Sequence, residues 1–446
     1  LNELAKTIPV DFSAAFGAFE ATSHGLPGWL TDGRRAALQR FSALGLPNRR
    51  HEEWKYTNLK PLTELPFDPV APAGTMELDE SVFAAHLAIG DVTLVFVDGI
   101  LATGLGNLKS LPQGVAVMSL SEAAAKDPGL VQKHVDAVPG DDSYPLADLN
   151  RAFLHTGAVI KVDAGACCVP TLHLVHIGGL ATAPLMSSPR FIISLGESAE
   201  AKVIESYLHQ SGGHAPYFVN AVTNVDLAPN ANLTHVRIVN DAPTAYHLGL
   251  VTATIARDAK LVSYSHIQGA TLARVNIDVG LNAPGASVEL DGLYLVDGKR
   301  HADHHTRVDH KVPNAHSRQL YKGVLSGESR AVFNGKVFVR EGAAGTEAYQ
   351  TNKTLMLSSD AEIDTKPELQ IDADDVKCSH GAAVGQLSRD ELFYLESRGV
   401  PPAEAKALLA NAFADEAVMR LPHGRVVERV REMVRSVILS AAKDLL

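Results

Sequence analysis

The chain has 446 residues, 46% apolar and 20% charged, with a formal net charge of −11 at pH 7; the length suggests two or three domains and the balance is that of an ordinary globular protein. Its acidity argues against non-specific nucleic-acid binding, which rests on a basic surface, and leaves no basic arm for an anionic membrane. Three cysteines, Cys167, Cys168 and Cys378, make no disulfide framework and point to a reducing compartment, and no apolar run reaches the length of a membrane span.

The N-terminal stretch LNELAKTIPVDFSAAF has no basic region leading into an apolar core, so no secretory signal is expected. Residues 1–145 read as a mixed, partly helical region. A helix is expected from Asp32, with Ala37, Leu38, Phe41 and Leu44 on one face and Gly45 then Pro47 as its stop. Val92 to Ile100 reads as a short strand running into a turn, and SLSEAAAKDP as a short helix with a serine cap.

Residues 146–387 form the next region. From Val159 the helical period vanishes, and short β-rich runs alternate with Gly, Asn, Asp and Pro turns. A small-residue phrase recurs before the strands: SAEAKV, PNANLT, RDAKLV, PGASVE, GESRAV, SDAEID. The first apolar residues of those strands are Val203, Leu233, Leu261, Val288, Val332 and Ile363, separated by 30, 28, 27, 44 and 31 residues. A period of this size favours a β-solenoid of stacked rungs over a two-sheet antiparallel sandwich.

Residues 388–446 return to helix. SRDE at Ser388 to Glu391 is a capping box, and Gly399 with Pro401 and Pro402 closes the helix it opens. Ala403 to Met419 is a second helix with Leu408, Leu409, Ala412, Phe413 and Ala417 inward. Gly424 to Leu446 is a third, striped by Val427, Val430, Val434, Val437, Ile438 and Ala441. These helices either cap the solenoid or dock a partner through the stripe.

Several residues carry possible chemistry. HADHHTRVDH supplies His301, His304, His305 and His310, with His316 following and Asp303 and Asp309 among them. Imidazole and carboxylate suit iron or zinc, but strand spacing is no specific metal signature, and a polar ladder on stacked rungs competes with it. On a strand Asp303 and His305 share a face. GLYLVDGKR fails the phosphate-loop pattern, so the chain is expected to bind no nucleotide. Cys167 and Cys168 sit in a strand-like run, point to opposite faces and read as small buried residues. Cys378 and His380 are two apart, hence on one strand face, with Gly381 following. Thiolate and imidazole are good ligands for iron or an iron–sulfur cluster, but a cluster usually needs four.

The run from Asn352 to Val400, containing DDVKCSHGAAVG, resembles the C-terminal signature of the SufD branch of the SufB/SufD family. HHTRVDH, SRQLYKG and SRAVFNGKVFV resemble it too, as does RRHEEWKYTNL near the N-terminus. The sister SufB branch has a cysteine where this chain reads Thr351-Asn352-Lys353-Thr354, and it lacks KCSHG. SVILSAAKDLL at the C-terminal end departs from the family pattern.

The resemblance implies a mainly β fold: a right-handed parallel β-helix between helical ends. It implies a non-catalytic, cytoplasmic scaffold subunit of a SufB–SufC–SufD complex. SufC, an ABC-type ATPase, would bind the C-terminal helices, and a SufB-type paralogue would pair with the β-helix. A homodimer is the corresponding state in isolation. It implicates His380 in holding a transient iron–sulfur cluster shared with SufB, with Cys378 the weaker candidate. Two other classes remain: a β-helical polysaccharide lyase or hydrolase using Asp303, Asp309 and Arg307, and a mononuclear metal protein using His301, His304, His305 and His310.

Overall fold

The computed structural model describes residues 7–22, 27–69, 78–107, 111–137, 144–210, 212 and 215–444. The N-terminal part runs β1 (Thr7–Ile8), α1 (Ser13–Thr22), α2 (Gly28–Leu44), β2 (Leu46–Pro47), α3 (Glu80–Leu87), β3 (Val92–Val97), β4 (Ile100–Leu101), β5 (Val115–Ser119), α4 (Leu120–Lys126), α5 (Pro128–Asp136) and α6 (Leu146–Ala152). Strands follow: β6 (Gly157–Val162), β7 (Leu172–Gly178), β8 (Leu185–Ser187), β9 (Arg190–Leu195), β10 (Glu200–His209), β11 (Tyr217–Leu227), β12 (Asn232–Asn240), β13 (Tyr246–Ile255) and β14 (Lys260–Ile267). They continue with β15 (Leu272–Leu281), β16 (Ser287–Val296), β17 (His301–His310), β18 (His316–Leu325), β19 (Arg330–Val339), β20 (Glu347–Met356), β21 (Glu362–Ile371) and β22 (Lys377–Gly385). Three helices end the chain: α7 (Arg389–Ser397), α8 (Pro402–Val418) and α9 (Gly424–Asp444). The helix expected from Asp32 begins at Gly28, because Pro27 presets its entry and Leu30 is buried within its first turn.

From β9 onward successive strands fall alternately into two sheets. The first sheet is ordered β22-β20-β18-β16-β14-β12-β10-β7-β3-β4, and the second β21-β19-β17-β15-β13-β11-β9-β6-β5. From β9 to β22 every pairing between sheet neighbours is parallel and in register, which is the β-solenoid expected from the repeat. First-sheet strands from β10 start every 27 to 32 residues. The 44-residue step from Val288 to Val332 is a change of sheet, since Val288 is on β16 and Val332 on β19. The missing rung is β18, where Ser317 stands in register with Val288 and takes part in a 2.8 Å hydrogen bond with His310. A polar pair there replaces the apolar contact that marked the other rungs.

In five of the six recurring phrases the turn is left-handed, SDAEID before β21 being the exception. Ser198, Asn230, Asp258, Gly285, Asn314, Gly345 and Asp375 all have positive φ, between 55° and 76°. Each stands two residues before a first-sheet strand. Gly, Asn and Asp tolerate this conformation best, which is why small polar residues recur there.

Side chains of Val, Leu, Ile, Ala and Tyr from both sheets fill the space between them. The outer faces are covered unequally. α2, α6 and the Trp54 segment cover part of the second sheet, where Phe41, Trp54 and Leu149 pack on Phe218, Val222 and Leu248. α8 and α9 cover the first sheet, packing on Ile204, Val236, Tyr264, Leu293 and Val324.

The stripe of α9 is therefore occupied. Val430, Val434 and Ile438 are buried and Val427 and Val437 are packed beside them, so this helix is a flank cover and not a free docking stripe. The side chain of Ala441 and residues 445–446 lie outside the described residues. On α8 the inward face is Ala405, Ala407, Ala410, Ala414 and Ala417, whereas Leu408 and Ala412 face out. Alanine lets α8 approach its neighbours closely, so the smaller side chains take the inner face.

The end of the solenoid is open. Among the described residues, β22 pairs only with β20 and β21 only with β19. Every β22 residue except Cys378 is exposed.

Candidate functional site: the open last rung

Cys378 and His380 stand on β22 in register with Ala348 and Gln350 of β20. Strand parity puts both on the face that lines the solenoid interior. Cys378 packs against the edge of the core, and burial pushes its thiol up. His380 is exposed and lines a groove of about 540 Å³ with Lys336, Phe338, Pro367, Glu368 and Leu369. One face thus offers a thiol and an imidazole. Among the described residues, no three His, Cys, Asp or Glu side chains gather as a metal cage.

The two edges of this rung differ. β21 carries Glu362, Asp364, Lys366, Pro367 and Glu368, and charges with a central proline are the usual means of blunting an edge. β22 reads KCSHGAAVG and carries one lysine, at its start. The Lys377 N–H donates to the Thr346 carbonyl, toward β20. Alternation then turns the N–H groups of Cys378, His380, Ala382 and Val384 away from it. This edge is a ready template for another strand.

The histidine run divides between faces. His304 and His310 point inward and bond to Ser265 and Ser317 at 2.9 and 2.8 Å. Burial pushes their imidazoles down, to about 3 and about 4. His301 and His305 point outward around Asp303. The metal set His301, His304, His305 and His310 is therefore not brought together. Asp303 and His305 do meet, at 3.0 Å. Asp303 is buried between Thr57, Arg274 and His305, and Asp309 is clamped by Arg340 at 2.7 Å. Asp303 is sealed beneath the N-terminal segment, so these carboxylates do not form an open sugar-binding groove.

That seal explains the Trp-Lys-Tyr-Thr segment. The Arg274 guanidinium lies 3.6 Å from the Trp54 ring centre and donates to the Glu53 carbonyl. Thr57 reaches His301 at 3.0 Å and also donates to Asp303. Glu53 pairs with Lys336, and Glu52 with Lys366 at 2.8 Å. One short segment so crosses β15, β17, β19 and β21.

Two features escaped the sequence reading. Inside the solenoid, fully buried Glu205 accepts from Thr223 and Tyr207, and it pairs with His235 at 3.0 Å and Arg237 at 3.1 Å. Burial pushes its carboxyl up, but Arg237 and His235 outweigh this and hold it at about 2. On the outer face of β18, buried Lys322 donates to the Phe413 carbonyl and to Glu416, each at 2.6 Å, which fastens α8. Parity along each strand was the available signal for both. Cys167 also departs from expectation: it is exposed in the turn before β7, while Cys168 is buried.

On α7 Phe393 and Tyr394 are 72% and 58% exposed, and on and just after α8 Leu408 and Met419 are 52% and 64% exposed, leaving apolar surface on the C-terminal helices. No described helix is long and apolar enough to cross a membrane.

The family model for the SUF system FeS cluster assembly, SufBD core domain, matches residues 179–413. The model for the SufBD protein N-terminal region matches residues 20–172. An iron–sulfur cluster assembly SufBD family protein of Synechocystis is 31% identical over 414 residues, 91% of this chain and 90% of that protein. The iron–sulfur cluster assembly protein SufD of Escherichia coli is 33% identical over 381 residues, 85% of this chain and 86% of its own. SufD of Bacillus subtilis is 26% identical over 428 residues, covering 93% and 94%.

Proposed function

The chain belongs to the SufBD family of iron–sulfur cluster assembly proteins, and from that premise we propose that it is the non-catalytic SufD-type scaffold of a cytoplasmic SufB–SufC–SufD complex. The observation that carries this reading is the open last rung, where an unblunted β22 edge presents His380 and Cys378. A SufB-type paralogue pairs with that end, and a second copy of this chain takes its place in isolation. The cluster is cargo, held transiently between the two chains. His380 supplies a neutral imidazole, Cys378 is the secondary ligand, and the partner completes the ligand set, since two donors are too few.

A SufC-type ATPase binds the C-terminal helices, where Leu408, Met419, Phe393 and Tyr394 leave apolar surface uncovered. Nucleotide chemistry belongs to that partner, and this chain binds none. Residues 1–145 then brace the scaffold, 146–387 form the β-helix, and 388–446 serve the ATPase.

Co-expression with SufB-type and SufC-type chains followed by pull-down tests the partners; failure of either to co-purify refutes that partnership. His380→Ala, in an assembled complex, is expected to lower cluster yield with unchanged thermal stability, because the side chain is exposed. Normal cluster yield in that variant would sink the ligand assignment.

A further inference from the structure

Gln350 lies on β20, one strand inward from His380 and in register with it, on the same face. It is 2% exposed, and neither its Oε1 nor its Nε2 has a hydrogen-bond partner among the described residues. A buried amide with nothing to bond is destabilising, so its presence calls for an explanation.

The surroundings restrict what the amide can do. A Cβ on Gly335 of β19 would lie 2.0 Å from Gln350 Nε2, so the amide occupies space that glycine leaves empty. One strand further in, Gln319 accepts a 2.7 Å hydrogen bond from Thr306 on its Oε1, while its Nε2 has no partner among the described residues. Gln319, Gln350 and His380 form one column across β18, β20 and β22. Neighbouring strands are about 4.8 Å apart, which puts the Gln350 amide and the His380 ring within reach of each other by side-chain rotation.

We propose that Gln350 is a positioning residue for His380: its Oε1 accepts the N–H of one ring nitrogen, so the other nitrogen presents its lone pair at the open end of the solenoid. This rests on the ligand role proposed above for His380. A neutral imidazole has one N–H and one lone pair, and which nitrogen carries which is set by the hydrogen bond the ring makes. Ligating histidines commonly give their second N–H to a carbonyl or carboxylate. An amide oxygen does this without adding charge to the interior. The Gln350 Nε2 then turns toward Gln319, whose Oε1 has a second lone pair free.

The test uses the full chain labelled with ¹⁵N-histidine, with the His380 signals identified by their loss in His380→Ala. In the native chain a long-range ¹H–¹⁵N correlation should show one dominant tautomer. Gln350→Leu removes the acceptor, and Gly335→Ala displaces the amide without deleting it; both should move His380 toward a mixture of tautomers. An unchanged tautomer pattern in both variants overturns the proposal. In the assembled complex, Gln350→Leu should lower cluster yield by on the order of tenfold, as supporting partners of ligands usually do. Normal yield in His380→Ala would remove the ligand role while the tautomer measurement still decides the hydrogen bond.

Discussion

Replacing Glu205 with Gln tests whether the polar knot inside the solenoid is a paired charge. The variant removes the carboxylate charge beside the buried Arg237 guanidinium, which keeps its 2.8 Å hydrogen bond to the Tyr207 hydroxyl. Removing one member of a buried pair costs about 3–5 kcal/mol. The carboxyl itself supplies a second figure. Held at about 2 in the fold, against about 4.3 for a free glutamate, it contributes roughly 3 kcal/mol at neutral pH. The folded value is depressed, so this stability is fully present above the unfolded carboxyl's range. It drains away as pH falls from about 4.5 toward about 2. Urea midpoints by circular dichroism, taken from pH 7 to pH 3, should show a gap of several kcal/mol that narrows on acidification. Glu205→Leu with Arg237→Met should recover much of the loss, because a well-packed apolar pair can replace a buried ion pair. A gap below about 1 kcal/mol at pH 7, or one constant across the acid range, would refute the argument.

Trp54→Ala should cost about 3–5 kcal/mol in denaturant unfolding, since the ring is fully buried and faces Arg274; a loss under 1 kcal/mol would mean that the N-terminal segment is not braced there. Ala382→Pro removes an edge N–H that strand alternation turns away from β20, so the thermal midpoint should hold while capture of a SufB-type partner fails. Equal capture by both proteins would place the interface elsewhere. Lys322→Met should loosen α8, by about 1.5–3 kcal/mol for its charged hydrogen bonds, and raise amide exchange across residues 402–418 above that of the native chain.

Much of the architecture was legible because the turn chemistry repeats. Ser198, Asn230 and Asp258 advertise the same left-handed corner, and corners about 30 residues apart define rungs. The count slipped at β18 because a Ser317–His310 hydrogen bond replaced the apolar first residue. The division of the histidine run followed from parity alone, since His304 and His305 must face opposite ways. The inward glutamate was harder. A lone Glu in a strand normally marks the wet face; parity with Val203 and Tyr207 turns it inward, and the register that brings Arg237 and His235 beside it supplies the reason it can stay there. On α8 the leucine stripe predicts the wrong inner face, because close helix contact selects alanine. For Cys378 and His380 the sequence located the pair on one strand face, but the open end depends on where the helices pack, and no local pattern encodes that.

The segment from Glu52 to Thr57 has a consequence for how such a molecule comes apart. A stack of rungs behaves as a nearly one-dimensional array, in which each unit feels only its neighbours and the terminal unit, with one neighbour, peels first. Here a single stretch of chain is fastened to the second-sheet strands of four successive rungs, from Arg274 on β15 to Lys366 on β21. It ties rungs that are not neighbours in the stack, so fraying at β21 breaks a bond anchored three rungs away. Nearest-neighbour unzipping becomes a longer cooperative step, and the exposed end of the stack is held in order by a tether rooted deep inside it.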